Sequence, residues 1–184
     1  MKTLFIDNEI KYEGWQLCPH WIYKNFKLQG DAIVAFVGEC EVKLTEMVDI
    51  EDVINNEPIY SKLMLSFISE QFNVGLVEGV FRQRLLICKI KEALEKRGFM
   101  VTRDGDDLFF DNKKLTVSIA TKSATSILIH TGVNIISEGA PIKASGLQSD
   151  MKISDIKNLA QEIMVQYSEE IDDIVMASTK VRGV

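Results

Sequence analysis

The sequence predicts an α/β fold of the α+β type, a mainly antiparallel central sheet flanked by helices. Three observations predict it. The block from Phe99 to Ile136 alternates apolar and polar residues between tight turn signals, which reads as an antiparallel meander. The segments 76–97 and 154–175 carry apolar residues at three- and four-residue spacing, which reads as two long amphipathic helices. Ile33 to Val37 is a β-branched apolar run bounded by Gly30-Asp31 and Gly38, the pattern of a buried strand.

Taken in order, Thr3 to Ile6 is a short strand that ends at the turn signal Asp7-Asn8. Tyr12 to Phe26 mixes aromatic and polar residues, and a helix is expected to begin near Pro19, because proline suits a first helical turn. Glu41 to Leu44 reads as a second strand after Ile33–Val37. Ser61 to Phe72 places Leu63, Met64, Phe67, Ile68 and Phe72 at helical spacing, so a helix is expected there. In the helix Leu76 to Arg97 the expected inward stripe is Val77, Val80, Phe81, Leu85, Cys88 and Ala93, with Gly98 as the stop signal. Strands follow at Phe99–Thr102, Leu108–Phe110, Leu115–Thr121 and Ser126–Ile136, with turns at Asp104-Gly105-Asp106 and Asp111-Asn112-Lys113. Ser137 to Asp150 is a loop. The last helix has Ser154 as its expected N-cap and buries Ile156, Leu159, Ala160, Ile163, Met164, Tyr167, Ile171, Ile174 and Val175.

A chain of 184 residues with 46% apolar and 26% charged residues can build one ordinary core, so residues 1–184 are read as a single domain. The net charge of −6 argues against nucleic acid as a partner, since that binding needs a basic surface. Seven of the acids lie between Glu39 and Glu57. Cys18, Cys40 and Cys88 form no C-x-x-C pair, and free thiols in a chain without an apolar leader fit a reducing, cytoplasmic compartment. No apolar run is long enough to cross a membrane, so no membrane partner is expected.

The meander holds most of the candidate chemistry. Arg103-Asp104-Gly105-Asp106-Asp107 is an acidic turn without the glycine and glutamate positions of a calcium loop, so no metal is expected. Lys113-Lys114 could set an ammonium over a carboxylate or phosphate, or be solvated turn lysines. Thr116, Ser118 and Ala120 share a strand face, which suits either a ligand floor or a covering helix. His130 is either a general base or a buried histidine with satisfied ring nitrogens, and Gly132 leaves room for close approach. In Arg82-Gln83-Arg84 the two arginines point about 200° apart on a helix, so only one can face a given pocket. Cys18 and His20 form a second, weaker pairing of nucleophile and base. No phosphate-binding glycine motif and no hydrolase or metalloprotease motif is present.

Two resemblances follow. Tyr12-Glu13-Gly14-Trp15-Gln16-Leu17, Gln29 to Phe36, Arg82 to Leu86, Gly105-Asp106-Asp107-Leu108, Lys114 to Thr121 and Ile129-His130-Thr131-Gly132-Val133-Asn134 together resemble the domain of unknown function 366 family. Asp106-Asp107-Leu108, Lys114-x-x-x-Ser118-x-Ala120 and His130-x-Gly132 are also similar to the central hairpin of lipoate and biotin protein ligases, which share a fold with class II aminoacyl-tRNA synthetases. That second likeness implies a catalytic lysine at Lys114 and an acyl pocket lined by Ser118, Ala120, His130 and Gly132. It implies that Asp107 sits near an adenylate or orients Lys114, with ATP as the candidate cofactor. Arg82, Arg103, Asp106 and Asn134 complete the candidate ligand-binding set, and His130 is the second catalytic candidate. The ligases' glycine-rich Arg-Arg-x-x-Gly-Gly-Gly segment has only Arg82-Gln83-Arg84 in its place, and Val117 stands where the ligases often have glycine. Three functions are therefore carried forward: acyl or nucleotidyl transfer, a non-catalytic module for a small anion or nucleotide, and a homodimeric interaction protein.

Overall fold

The structure is a computed structural model in which residues 1–183 are described. Eight strands are formed: β1 (Lys2–Phe5), β2 (Ala32–Val42), β3 (Ile59–Phe72), β4 (Thr102–Asp104), β5 (Asp107–Phe110), β6 (Lys113–Lys114), β7 (Thr116–Lys122) and β8 (Ser126–Ile136). The helices are α1 (Trp21–Phe26), α2 (Ile50–Asn55), α3 (Leu76–Glu95) and α4 (Ile156–Ser178), and a 3-10 turn spans Leu44–Glu46. The main sheet runs β1-β2-β3-β8-β7, and β4-β5-β6 form a small second sheet. All pairings are antiparallel except β1 with β2.

Alternation along the central strands divides the core into two layers. Ile33, Ala35, Leu65, Phe67, Ile127, Ile129 and Val133 face α3 and α4. Ala32, Val34, Phe36, Met64, Ile68 and Leu128 face the other way, against Trp21 and Ile22 of α1 and the segment before it. A strand buried on both faces is apolar at odd and even positions alike. That is why residues 61–72, expected as a helix, form the strand β3. Leu63, Met64, Phe67 and Ile68 match helical spacing only because both faces of this strand are covered.

Several other expectations are corrected. The two strands read at 33–37 and 41–44 are one, β2, with a bulge between Gly38 and Cys40. Gly38 is no terminator; a Cβ there would lie 2.1 Å from the Ile10 carbonyl oxygen, so glycine lets the 10–12 segment lie beside β2. α1 starts at Trp21, two residues beyond Pro19, and Tyr12 is extended and bridged to Cys40. The inward face of α3 is Gly79, Gln83, Leu86, Ile87, Ile90, Ala93 and Leu94, while Val77 and Phe81 are about 70% exposed. The strand expected at 99–102 is β4, displaced to Thr102–Asp104, and Phe99 instead packs edge-on against Phe110. The meander is split: β4, β5 and β6 leave the main sheet, and only β7 and β8 remain in it. α4 is capped by Asp155, whose side chain accepts from the Asn158 amide, rather than by Ser154; Ile174 and Val175 are half exposed.

Candidate functional site

The face of the sheet opposite α3 and α4 is not wholly covered by α1. Over its other end lies a cavity of about 520 Å³. Its floor is Val117, Ile119, Met64 and His130. One wall is the turn and helix at 46–60, which includes α2; Tyr12, Gly14 and Leu17 form a second, and Pro141 and Ile142 edge the mouth.

Lys114 is placed by its neighbours in the chain. Leu115 is fully buried, its amide donating to Leu108 O at 2.7 Å, and its carbonyl accepts from the Asn134 amide at 3.0 Å. The Lys114 backbone is held on its other side by Lys143 O and the Ser145 amide. With the backbone fixed, strand alternation sends successive lysines apart. Lys113 Nζ reaches Asp150 at 3.0 Å, whereas Lys114 Nζ lines the cavity and reaches Asp107 at 2.8 Å. Burial pushes the Asp107 carboxyl above the usual aspartate range, and the Lys114 ammonium pulls it back.

His130 is 4% exposed and stacks on Tyr12, ring centroids 3.7 Å apart and planes within 11°. Its Nε2 lies 3.3 Å from Ser66 Oγ. Burial lowers its pKa to about 3, so the ring is neutral near pH 7 and a weak proton acceptor. Burial also pushes the Tyr12 phenol above its ordinary range, with the nearby Cys40 adding to the shift, so the hydroxyl stays protonated. Cys40 is pushed up to about 12 by burial, with Glu39 adding to it, and is not an activated thiol.

Six of the sequence-derived candidates meet at this cavity: Lys114, Asp106, Asp107, Ser118, His130 and Asn134. Four do not. Arg82 sits on the α3 side, bound to Glu78 at 2.5 Å and to Gln71. Arg103 is exposed and donates to Gly105 O at 2.5 Å. Ala120 packs into the α3–α4 core layer. The space above Gly132 is filled by Met64, whose Sδ would lie 2.2 Å from an added Cβ. Ser118 reaches the cavity wall, but its hydroxyl accepts from Gln83 Nε2 at 3.1 Å and lies 2.8 Å from Thr131 Oγ1. The covering-helix reading thus describes Ser118 Oγ and Ala120, and the apolar floor comes from Val117 and Ile119. Asp106 is held by Gln83 Nε2 at 2.9 Å and Arg84 at 3.3 Å. His20 donates its backbone amide to Glu70 and its ring stacks on Phe72, and no hydrogen bond joins it to Cys18 among the described residues. Among the described residues no three His, Cys, Asp or Glu side chains are poised around a common metal position.

Sequence reading missed Tyr12, Met64, Asp52 and Glu57 as cavity residues. Asp52 and Glu57 belong to the acidic run 39–57, a signal that composition exposed without saying what the run surrounds.

A family model for a domain of unknown function, DUF366, matches residues 1–182. The chain belongs to that family. It is 39% identical over 180 residues to an uncharacterised protein of Methanocaldococcus jannaschii, across 95% of this chain and 81% of that protein. A solved protein of unknown function from Pyrococcus horikoshi superposes with a TM-score of 0.94 at 37% identity, covering 100% of this chain and 98% of that one. More distant structures share the fold alone. A bi-partite lipoate protein ligase from Thermoplasma acidophilum gives a TM-score of 0.61 at 11% identity, over 91% of this chain and 83% of that one. A biotin protein ligase from Aquifex aeolicus, in complex with biotin, gives 0.61 at 15% identity, over 94% and 70%. The ligase-like α+β fold implied by the hairpin motif is therefore the fold of this chain.

Proposed function

We propose that this family member binds a small acyl compound in the cavity centred on Lys114, and that it transfers or activates the acyl group there. The supporting observation is the convergence on one concave, half-apolar cavity of Lys114, Asp107 and the buried His130, which the ligase hairpin pattern picks out, with the buried Asn134 beside them. In this role Lys114 supplies the positive charge that offsets negative charge building on an acyl or phosphoryl oxygen. His130, neutral and stacked, serves as a wall and hydrogen-bonding group rather than a proton store.

ATP fits the residues poorly. Arg82 and Arg103 are directed away, Lys114 is paired with Asp107, and the remaining charged residues lining the cavity are carboxylates, so a polyphosphate would meet net repulsion. The acyl half of the reading is the half these residues favour.

The test is to incubate the protein with a panel of activated acyl donors such as acyl thioesters, and in parallel with ATP and the free carboxylic acids, and to assay for acyl transfer, pyrophosphate and adenylate. The expected result is turnover that falls on the order of a hundredfold or more in Lys114→Ala. No product with any donor or acid, together with no effect of Lys114→Ala, sinks the enzymatic reading. The second reading, a non-catalytic binding module, is favoured by the helical, glycine-free stretch at Arg82-Gln83-Arg84, which offers no loop to wrap a ligand. It predicts a ligand-dependent rise in melting temperature without turnover. A tenfold loss of affinity in Lys114→Ala would correspond to about 1.4 kcal/mol.

A further inference from the structure

Six carboxylates line the cavity against one lysine: Glu46, Asp49, Asp52, Glu57, Asp106 and Asp107. Three of the six are committed within the protein. Asp49 caps α2 through the Glu51 amide, Asp106 is held by Gln83 and Arg84, and Asp107 is paired with Lys114. Glu46, Asp52 and Glu57 have no side-chain partner among the described residues. Four of the six come from the acidic run seen in the sequence, which the fold wraps around the mouth.

The cavity's depth carries a second, independent sign of a ligand. Asn134 is 7% exposed and Tyr12 is 3% exposed; both line the cavity, and neither the Asn134 amide nor the Tyr12 hydroxyl has an intramolecular hydrogen-bond partner among the described residues. Among the described residues Gln166 Oε1 is the one enclosed side-chain polar atom without a partner, so the Asn134 and Tyr12 polar atoms are open to the cavity, where a ligand can reach them. Both groups can accept from an N–H donor. A concave site with low-dielectric walls and one sign of charge concentrates the field of that sign and draws counter-ions into it.

Resting on the small-molecule reading above, we infer that the cavity's ligand carries a protonated amine or similar organic cation, held by Asp52 and Glu57 at the mouth with Asn134 and Tyr12 as neutral acceptors below. Asp52 already bears the cost of having no such partner. Burial, and then its neighbours Asp49 and Glu57, raise its pKa, with only Lys114 acting in the other direction. A cation between Asp52 and Glu57 replaces that repulsion by attraction.

The probes that test this are hexylamine, hexan-1-ol and hexanoate, which share one apolar chain and differ in charge. Each is titrated into the full-length protein while the amide signals of Asn134 and the 46–60 segment are followed by NMR. Protonated hexylamine is expected to bind about tenfold or more tightly than the alcohol, hexanoate more weakly than both, and added salt to narrow the difference. The double substitution Asp52→Asn, Glu57→Gln is expected to erase the preference for the amine. Glu57→Gln alone, at an exposed position, serves as the second variant and is expected to reduce that preference. Hexanoate or hexanol binding at the same signals as tightly as the amine overturns this inference and leaves the small-molecule cavity standing. Amine selectivity that survives both variants also overturns it. Silence at Asn134 with every probe overturns the inference and the cavity reading together.

Discussion

At the scale of single residues, neighbours in the chain have divergent fates. Lys113 and Lys114 are chemically identical, yet one secures the 137–150 loop through Asp150 and the other lines the cavity. Burial alone would raise the Asp150 pKa; donors from Ser149, Lys113, Ser137 and the Gly146 amide more than offset it and hold the carboxyl well below the usual range. The stability this supplies is complete above the ordinary aspartate value of 3.8 and is lost as pH falls below it. Asp150→Asn is therefore expected to cost about 1–3 kcal/mol in a urea titration at neutral pH, with the gap to the parent closing below pH ~4. His130 gives a second pH signature. Its pKa is about 3 when folded and ordinarily 6.5, so only the unfolded chain takes up its proton between those values. Stability should fall as pH drops through that window, and His130→Gln should flatten the slope, measured as melting temperature against pH. Glycines separate in the same way. Gly38→Ala must displace the Ile10 backbone and is expected to cost at or above the upper end of about 1–3 kcal/mol, whereas Gly132→Ala meets only the flexible Met64 side chain and should cost less.

At the scale of elements, the long helices and β8 were legible because their patterns are long and their ends carry clear signals. β3 was not, because burial on both faces removes the alternation that marks a strand. The existence of α3 was legible and its rotation was not. Its apolar residues run almost all round, and only the sheet decides that Leu86 and Ile90 turn inward while Val77 and Phe81 face solvent. Leu86→Ala is therefore expected to cost about 2–5 kcal/mol in chemical denaturation. Phe81→Ala, at an exposed position, should stay within about 0.5 kcal/mol. If the two were equal, the inward face of α3 would be wrongly placed.

At the scale of the whole molecule, β7 borders the main sheet and pairs only with β8 among the described residues. A free sheet edge is a natural place for self-association, and the homodimer reading predicts a scattering mass of twice 20.8 kDa at micromolar concentration. A monomer alone under those conditions removes it. No described helix is long and apolar enough to cross a membrane. The sequence by itself determined the α+β class, the two long helices and β8, because each rests on local periodicity, and it offered Lys114, Asp107, His130 and Asn134 as candidates, the first three through the resemblance to the ligase hairpin. The tertiary structure alone decided which residues share a cavity. Tyr12, Asp52, Met64 and Lys114 lie far apart in the chain, and bringing them together depends on the order β1-β2-β3-β8-β7 and on the path of the 44–58 segment over the sheet. Non-local pairing is fixed by burial summed over every strand, which no short window of sequence contains.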